Sequence, residues 1–209
     1  MSKCIIVGGV KINNIEKIKE YISNEDFVIA CDSGIDNCDI LKITPSLIVG
    51  DFDSHEKPNM DAEIIVLPKV KDDTDTMFAA REAVKRGFTE VLLLGVIGER
   101  FDHTLANAYI LSFLGENGVK GKIVDDYSEI TYLAQNGENI GYISDIFSYF
   151  SVISIDGTAK GVSIKNAKYP LENAIIEPSH QYATSNEVED GKTAEVSVEN
   201  GKLLLIKVF

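Results

Sequence analysis

Four aspartates in the first half of the chain stand where chemistry is easily built. Asp32 follows the apolar run Phe27–Cys31, Asp51 and Asp53 follow Leu47–Gly50, and Asp102 follows the run at 90–95 after a short loop. In an open α/β sheet ligands bind outside the carboxyl ends of the strands, so side chains distant in sequence can meet on one rim. Asp75 joins them at the start of a helical pattern, with Thr74 as its N-cap. Carboxylates gathered on a rim repel one another: at about 5 Å and an effective dielectric near 20, each ionised pair costs about 3 kcal/mol. A hard cation removes that cost. Asp51-Phe52-Asp53 offers the oxygen ligands that magnesium takes alongside water and phosphate oxygens. Most loop aspartates are turn formers and caps, and Asp39 and Asp61 read that way. The rim set differs by its position directly behind apolar runs.

The stretch from Gly95 to His103 combines a strand end, two glycines, the cation Arg100 and the start of a helix. Backbone N–H groups at a helix N-terminus favour anions, and a guanidinium offers forked donors to phosphate oxygens. Lys71 could add a point charge. Lone cations are also common on any surface, so these two read equally as solvated side chains. His103 either touches a ligand or caps its helix, whereas His55 and His180 lie in polar loops. Cys4, Cys31 and Cys38 are odd in number and lack C-x-x-C spacing, which fits buried apolar residues and not a zinc or redox site.

The elements that would position this chemistry form two halves. Apolar runs at Cys4–Val7, Phe27–Cys31, Leu47–Gly50, 63–67, 90–95 and 122–125 alternate with helical patterns, as in a doubly wound, mostly parallel sheet. In the helical pattern at 102–114, Leu105, Ala106, Tyr109, Ile110 and Phe113 are spaced to face a core. After Gln135 the period becomes two, and Asn200-Gly201 between strand-forming residues predicts a hairpin. The expected architecture is α/β, with a catalytic domain at 1–135 and a smaller β-sandwich at 136–209.

The 209 residues carry a net charge of −13, which argues against a basic face for nucleic acid. No apolar run approaches the eighteen or so residues of a membrane span. The first nine residues lack the pattern of a signal peptide, and the cysteine usage fits a reducing compartment, so a cytoplasmic location is expected.

Four blocks, in order and spacing, resemble the thiamin pyrophosphokinase family: Asp32-Ser-Gly34-Ile-Asp-Asn37, Gly50-Asp51-Phe52-Asp53-Ser54, Lys71-Asp72-Asp73-Thr74-Asp75, and Gly98-Glu-Arg100-Phe-Asp102-His103. Leu105-Ala106-Asn107, Lys168-Tyr169-Pro170-Leu171 and Ser185-Asn186-Glu187 extend the likeness over about the whole chain. The resemblance implies a homodimeric enzyme that transfers diphosphate from ATP to thiamin, with magnesium on Asp51, Asp53 and Asp75. By the same likeness Asp32, Gly34, Asn37, Lys71, Arg100, Asp102 and His103 surround ATP. Asp75 also lies near thiamin, and Ser185 and Asn186 line the vitamin pocket across the dimer. The chain departs from the family at Ser33, where a second glycine is usual, and at Glu99, where glycine is frequent. Three other readings stay open: an Asp-nucleophile phosphatase using Asp51 with Asp125-Asp126, a pterin pyrophosphokinase, and a binding module without turnover.

Overall fold

The computed structural model describes residues 3–51, 62–68 and 73–209; Asp53 and Lys71 lie outside the described residues. The chain forms two compact units, Met1–Ile110 with Ile123–Asp126, and Leu111–Lys122 with Tyr127–Phe209.

In the first unit, β1 (Cys4–Val7), α1 (Ile15–Lys19), β2 (Phe27–Cys31), α2 (Gly34–Leu41), β3 (Leu47–Gly50), β4 (Glu63–Val66), α3 (Asp75–Lys85) and β5 (Glu90–Leu94) follow in turn, and α4 (Phe101–Glu116) begins. The strands lie in the order β4-β3-β2-β1-β5, every pair parallel. Strands covered on both faces read as continuous apolar runs. Cys4 to Val7 and Leu47 to Val49 accordingly have no exposed surface.

The buried side of α4 differs from the expected one. Asn107, Ile110, Leu111 and Leu114 are buried, while Leu105 is 47% exposed and Tyr109 45%. This helix carries apolar residues around most of its circumference, so spacing alone does not select the covered face.

The second unit contains β7 (Ser128–Ala134), β8 (Ile140–Ser144), β9 (Tyr149–Ser154), β10 (Ala159–Lys165), β11 (Leu171–Ile176), β12 (Thr193–Ser197) and β13 (Lys202–Val208); β6 (Lys120–Val124) precedes them. Strands β7-β13-β9 pair antiparallel, and β11-β10-β12-β8 form a separate antiparallel sheet. Alternate residues of both sheets, among them Leu133, Phe150, Val152, Ile164, Val196 and Leu205, close a common core. This is the expected sandwich. β7, read from the sequence with the α/β half, pairs with β13 along its whole length.

Asn200-Gly201 does not close a hairpin. β12 and β13 lie in different sheets, and the turn carries the chain from one to the other. Asn200 exchanges backbone hydrogen bonds with Lys160, which commits the turn to β10 instead. The sandwich also buries one carboxylate, Glu129, 5% exposed. Lys122 reaches it at 2.9 Å and Lys207, its cross-strand partner, at 2.7 Å. Burial pushes the Glu129 carboxyl up, but the two ammonium groups outweigh burial and hold it below its ordinary range. Among the described residues no helix is long and apolar enough to cross a membrane.

Candidate active site

The rim is assembled at the carboxyl end of β2. Asp32 extends that strand by one residue, its N–H donating to the Val49 carbonyl at 2.8 Å. It then turns into a left-handed conformation, φ 45°, which costs a non-glycine residue about 1 kcal/mol. The turn lets α2 start at once. At Gly34 a Cβ would lie 2.0 Å from the Val7 carbonyl oxygen, so only glycine fits there. Of the family's usual glycine pair, the member this packing requires is therefore present. Ser33 is accommodated because Gly9 opposite has no side chain: a Cβ there would meet the Ser33 hydroxyl at 1.9 Å.

Asp32 Oδ1 is buried and has no hydrogen-bond partner among the described residues. An unsatisfied buried polar atom costs about 1–3 kcal/mol, more when charged. Across the β2–β3 pairing lies Gly50, where a Cβ would stand 3.3 Å from that oxygen, and Asp51 follows directly. Asp75 is the first residue of α3. Thr74 caps this helix as expected, its hydroxyl accepting the Met77 N–H at 3.2 Å. The Cys31 thiol lies 3.7 Å from the Asp75 carbonyl oxygen. Burial, foremost, and then the charge of Asp75 push that thiol well above its usual range, with Asp32 adding to the effect. Asp32 and Asp51 thus follow the neighbouring ends of β2 and β3, and the backbone of Asp75 at the start of α3 reaches the last residue of β2.

Among the described residues no group of three His, Cys, Asp or Glu side chains is arranged to hold a metal ion. Asp53, the second member of the Asp-x-Asp pair, lies outside them. The candidate donors Asp32, Asp51 and Asp75 offer carboxylate oxygens, and Asp32 Oδ1 is buried without a hydrogen-bond partner among the described residues. That chemistry suits a hard divalent cation and not a soft one.

The β5–α4 loop is tied down by residues of its own helix. Gly98 N–H donates to Thr104 Oγ1 at 3.0 Å, the same hydroxyl donates to the Gly98 carbonyl at 3.1 Å, and the buried Asn107 amide donates to the Val96 carbonyl at 2.8 Å. Thr104 was not singled out by sequence reasoning. A threonine three residues into a helix after a glycine loop was its only signal. Arg100 makes a forked pair with Asp102, Nε to Oδ1 at 2.9 Å and Nη2 to Oδ2 at 2.6 Å, both side chains largely exposed. The Arg100 hydrogen bonds hold the Asp102 carboxyl far below the usual carboxylate range. His103 is exposed at the helix start. Asn37 is buried, its amide turned away from solvent onto the β1–α1 loop.

In the second unit Ser185 adopts a left-handed conformation, φ 54°, and is exposed, its N–H donating to Ser151 Oγ at 3.1 Å. Asn186 is 3% exposed. Its amide donates to the Tyr169 carbonyl at 2.7 Å, and its Oδ1 accepts from the N–H groups of Tyr169 at 3.0 Å and Glu187 at 2.9 Å. Asn186 therefore fastens the backbone beneath the exposed Tyr169 ring to the corner that carries Ser185. Of the acidic pair that a phosphatase would use, Asp126 is otherwise engaged. Asp126 accepts the backbone N–H of Asn14 at 2.8 Å and that of Asn13 at 3.1 Å, ahead of α1.

Comparison with known proteins gives the class first. The crystal structure of thiamine pyrophosphokinase from Bacillus subtilis matches with a TM-score of 0.86 at 24% identity, over 100% of this chain and 99% of that one. The enzyme from Candida albicans matches with 0.77 at 16% identity, over 100% and 89%. These likenesses establish the fold, an α/β unit followed by an antiparallel sandwich. Residues 18–122 match the family model "Thiamin pyrophosphokinase, catalytic domain", and residues 138–203 match "Thiamin pyrophosphokinase, vitamin B1 binding domain". Among curated relatives, the thiamine pyrophosphokinase of Bacillus subtilis is 28% identical over 215 residues, covering 97% of this chain and 96% of the relative. The chain belongs to the thiamin pyrophosphokinase family, whose expected reaction moves diphosphate from ATP to thiamin.

Proposed function

We propose that this chain transfers the diphosphate of ATP to the hydroxyl of thiamin, giving thiamin diphosphate and AMP. The observation that carries the reading is the match of both family domains, in order. The placing of Asp32 and Asp51 at the ends of β2 and β3, with the start of α3 at Asp75 against the end of β2, supports it.

Asp51, Asp53 and Asp75 are the residues that would hold magnesium, which supplies charge neutralisation at the phosphate oxygens when bound. The thiamin hydroxyl oxygen attacks the β-phosphorus, the bond from that phosphorus to the bridging oxygen of AMP breaks, and the β–γ unit moves intact. Asp75 orients the hydroxyl and accepts its proton. Arg100 exchanges the Asp102 carboxylate for phosphate oxygens, keeping its fork. The Gly34 backbone, Asp32, Lys71, Asp102 and His103 complete the ATP surround, with Asn37 beneath. Positioning accounts for most of the rate, since phosphoryl transfer asks little covalent chemistry of the protein.

The α/β domain, 1–135, serves ATP, and the sandwich, 136–209, serves thiamin through Ser185 and Asn186, contributed across a homodimer. Phe101, Leu105 and Tyr109 form an exposed apolar row four residues apart on α4, a surface consistent with pairing to a second copy. The assigned compartment is the cytoplasm, and neither nucleic acid nor membrane is a partner.

Purified protein mixed with ATP, magnesium and thiamin should release AMP and thiamin diphosphate in equal amounts by chromatography, and EDTA should stop both. AMP formation with a pterin acceptor but not with thiamin would redirect the proposal. Absence of AMP with either acceptor would end it.

A further inference from the structure

A neutral amide side chain has two N–H donors and one oxygen acceptor. Asn37, only 2% exposed, uses all of them on one loop. Nδ2 donates to the Gly8 carbonyl at 2.7 Å and the Val10 carbonyl at 2.8 Å, and Oδ1 accepts the Ile12 N–H at 3.2 Å. The bonds fall on alternate residues of the β1–α1 connection, which has no regular secondary structure to satisfy them. A nucleotide could claim a donor from Asn37 only by stripping one from a backbone carbonyl.

That loop is knitted to a second one. Gly8 N–H donates to the Leu94 carbonyl at 2.8 Å and Val10 N–H to the Gly95 carbonyl at 2.9 Å. A Cβ on Gly95 would stand 2.8 Å from Asn37 Nδ2, and one on Gly98 would stand 2.8 Å from the Val10 methyls. The chain of contact therefore runs from Asn37 through Val10 to Gly95 and Gly98, whose loop leads into Arg100 and Asp102. Continuous contacts of this kind fix a site more tightly than loop backbone alone.

We infer that Asn37 is a positioning residue and not an ATP ligand: it locks the β1–α1 loop and, through that loop, sets the place of Arg100 and Asp102. The inference rests on the reading of the rim as the ATP site. A displacement of about 1 Å at a reacting centre can cost about 100-fold in rate.

The test combines amide hydrogen exchange without ATP and steady-state kinetics with ATP, on the full chain carrying Asn37→Ala. Amides at 8–12 and 95–98 should exchange at least about 10-fold faster, reporting local opening. kcat/KM for ATP should fall about 10- to 100-fold, mostly in kcat. Arg100→Gln is the control, with slower turnover and unchanged exchange. Should Asn37→Ala not fold, Asn37→Ser retains one donor and is expected to show a smaller change in both readouts. Unchanged exchange with a raised KM for ATP would make Asn37 a ligand and overturn the inference. Faster exchange with unchanged kinetics would make it structural only, overturning it equally. If the wild-type chain turned over no ATP, the pyrophosphokinase reading would fall, while exchange together with ATP affinity by calorimetry would still decide the role of Asn37.

Discussion

Two carboxylates, one in each unit, are treated oppositely. Glu129 of the sandwich lies between two lysines at 2.9 and 2.7 Å. At the rim of the α/β unit, Asp32 is half-buried, and its one enclosed oxygen, Oδ1, has no hydrogen-bond partner among the described residues, on a backbone already in the left-handed region. A buried carboxylate with two counter-charges belongs to the folded structure itself. An enclosed carboxylate oxygen with no hydrogen-bond partner among the described residues is a local cost carried by the fold, and such costs gather at sites that bind something.

The largest expected effect tests the rim as a working surface. Asp51→Asn should lower magnesium-dependent turnover about 1000-fold and leave the melting temperature within a few degrees of wild type. Full turnover in that variant would remove the distinction between the two regions. Glu129→Ala should do the reverse, costing about 3 kcal/mol in denaturant unfolding because Lys207 is left buried without its charge partner, while kcat of the folded enzyme holds.

The pH dependence of the same pair has a definite sign. The Glu129 carboxyl is held below its ordinary value near 4.5, so its contribution is complete above that pH and is lost as pH falls through the lower, folded value. Wild type should therefore lose stability more steeply than Glu129→Gln below about pH 4.5, as followed by urea midpoints; parallel curves would contradict the assignment. Asn186→Ala should cost about 2 kcal/mol and raise the KM for thiamin but not for ATP, since it loosens the corner carrying Ser185 and Tyr169. The smallest change has the opposite direction. Asp32→Asn should raise stability by about 1 kcal/mol, because asparagine tolerates a positive φ and carries no charge, yet turnover should fall at least about 10-fold. A loss of stability there would mean that Asp32 is no strained site.

Much of this was legible in the sequence because it depends on local order. Continuous apolar runs give buried parallel strands, and an aspartate directly after such a run lands at the carboxyl end whatever the distant packing does; Asp32 and Asp51 follow that rule, while Asp75 was legible as the start of a capped helix. What sequence could not give depends on long-range partners. Asn37 sits in the first turn of a helix inside a family block and reads as a ligand; only its bonds to residues 8, 10 and 12 show where its amide goes. The covered face of α4 was hidden by a helix apolar on most sides. Asn200-Gly201 carries a hairpin signal, but its pairing with Lys160 decides the turn. Glu129 became buried through lysines contributed by β6 and β13, which no local pattern announces.

The contact between Gly9 and Ser33 reaches beyond this molecule. With a Cβ at position 9 falling 1.9 Å from the Ser33 hydroxyl, the two positions are coupled: a side chain at 9 would force that hydroxyl into another rotamer. In a descendant or relative with glycine at 33, position 9 would be released from this constraint and could acquire a side chain. A side chain should therefore be accepted more readily at 9 where 33, twenty-four residues away, is glycine.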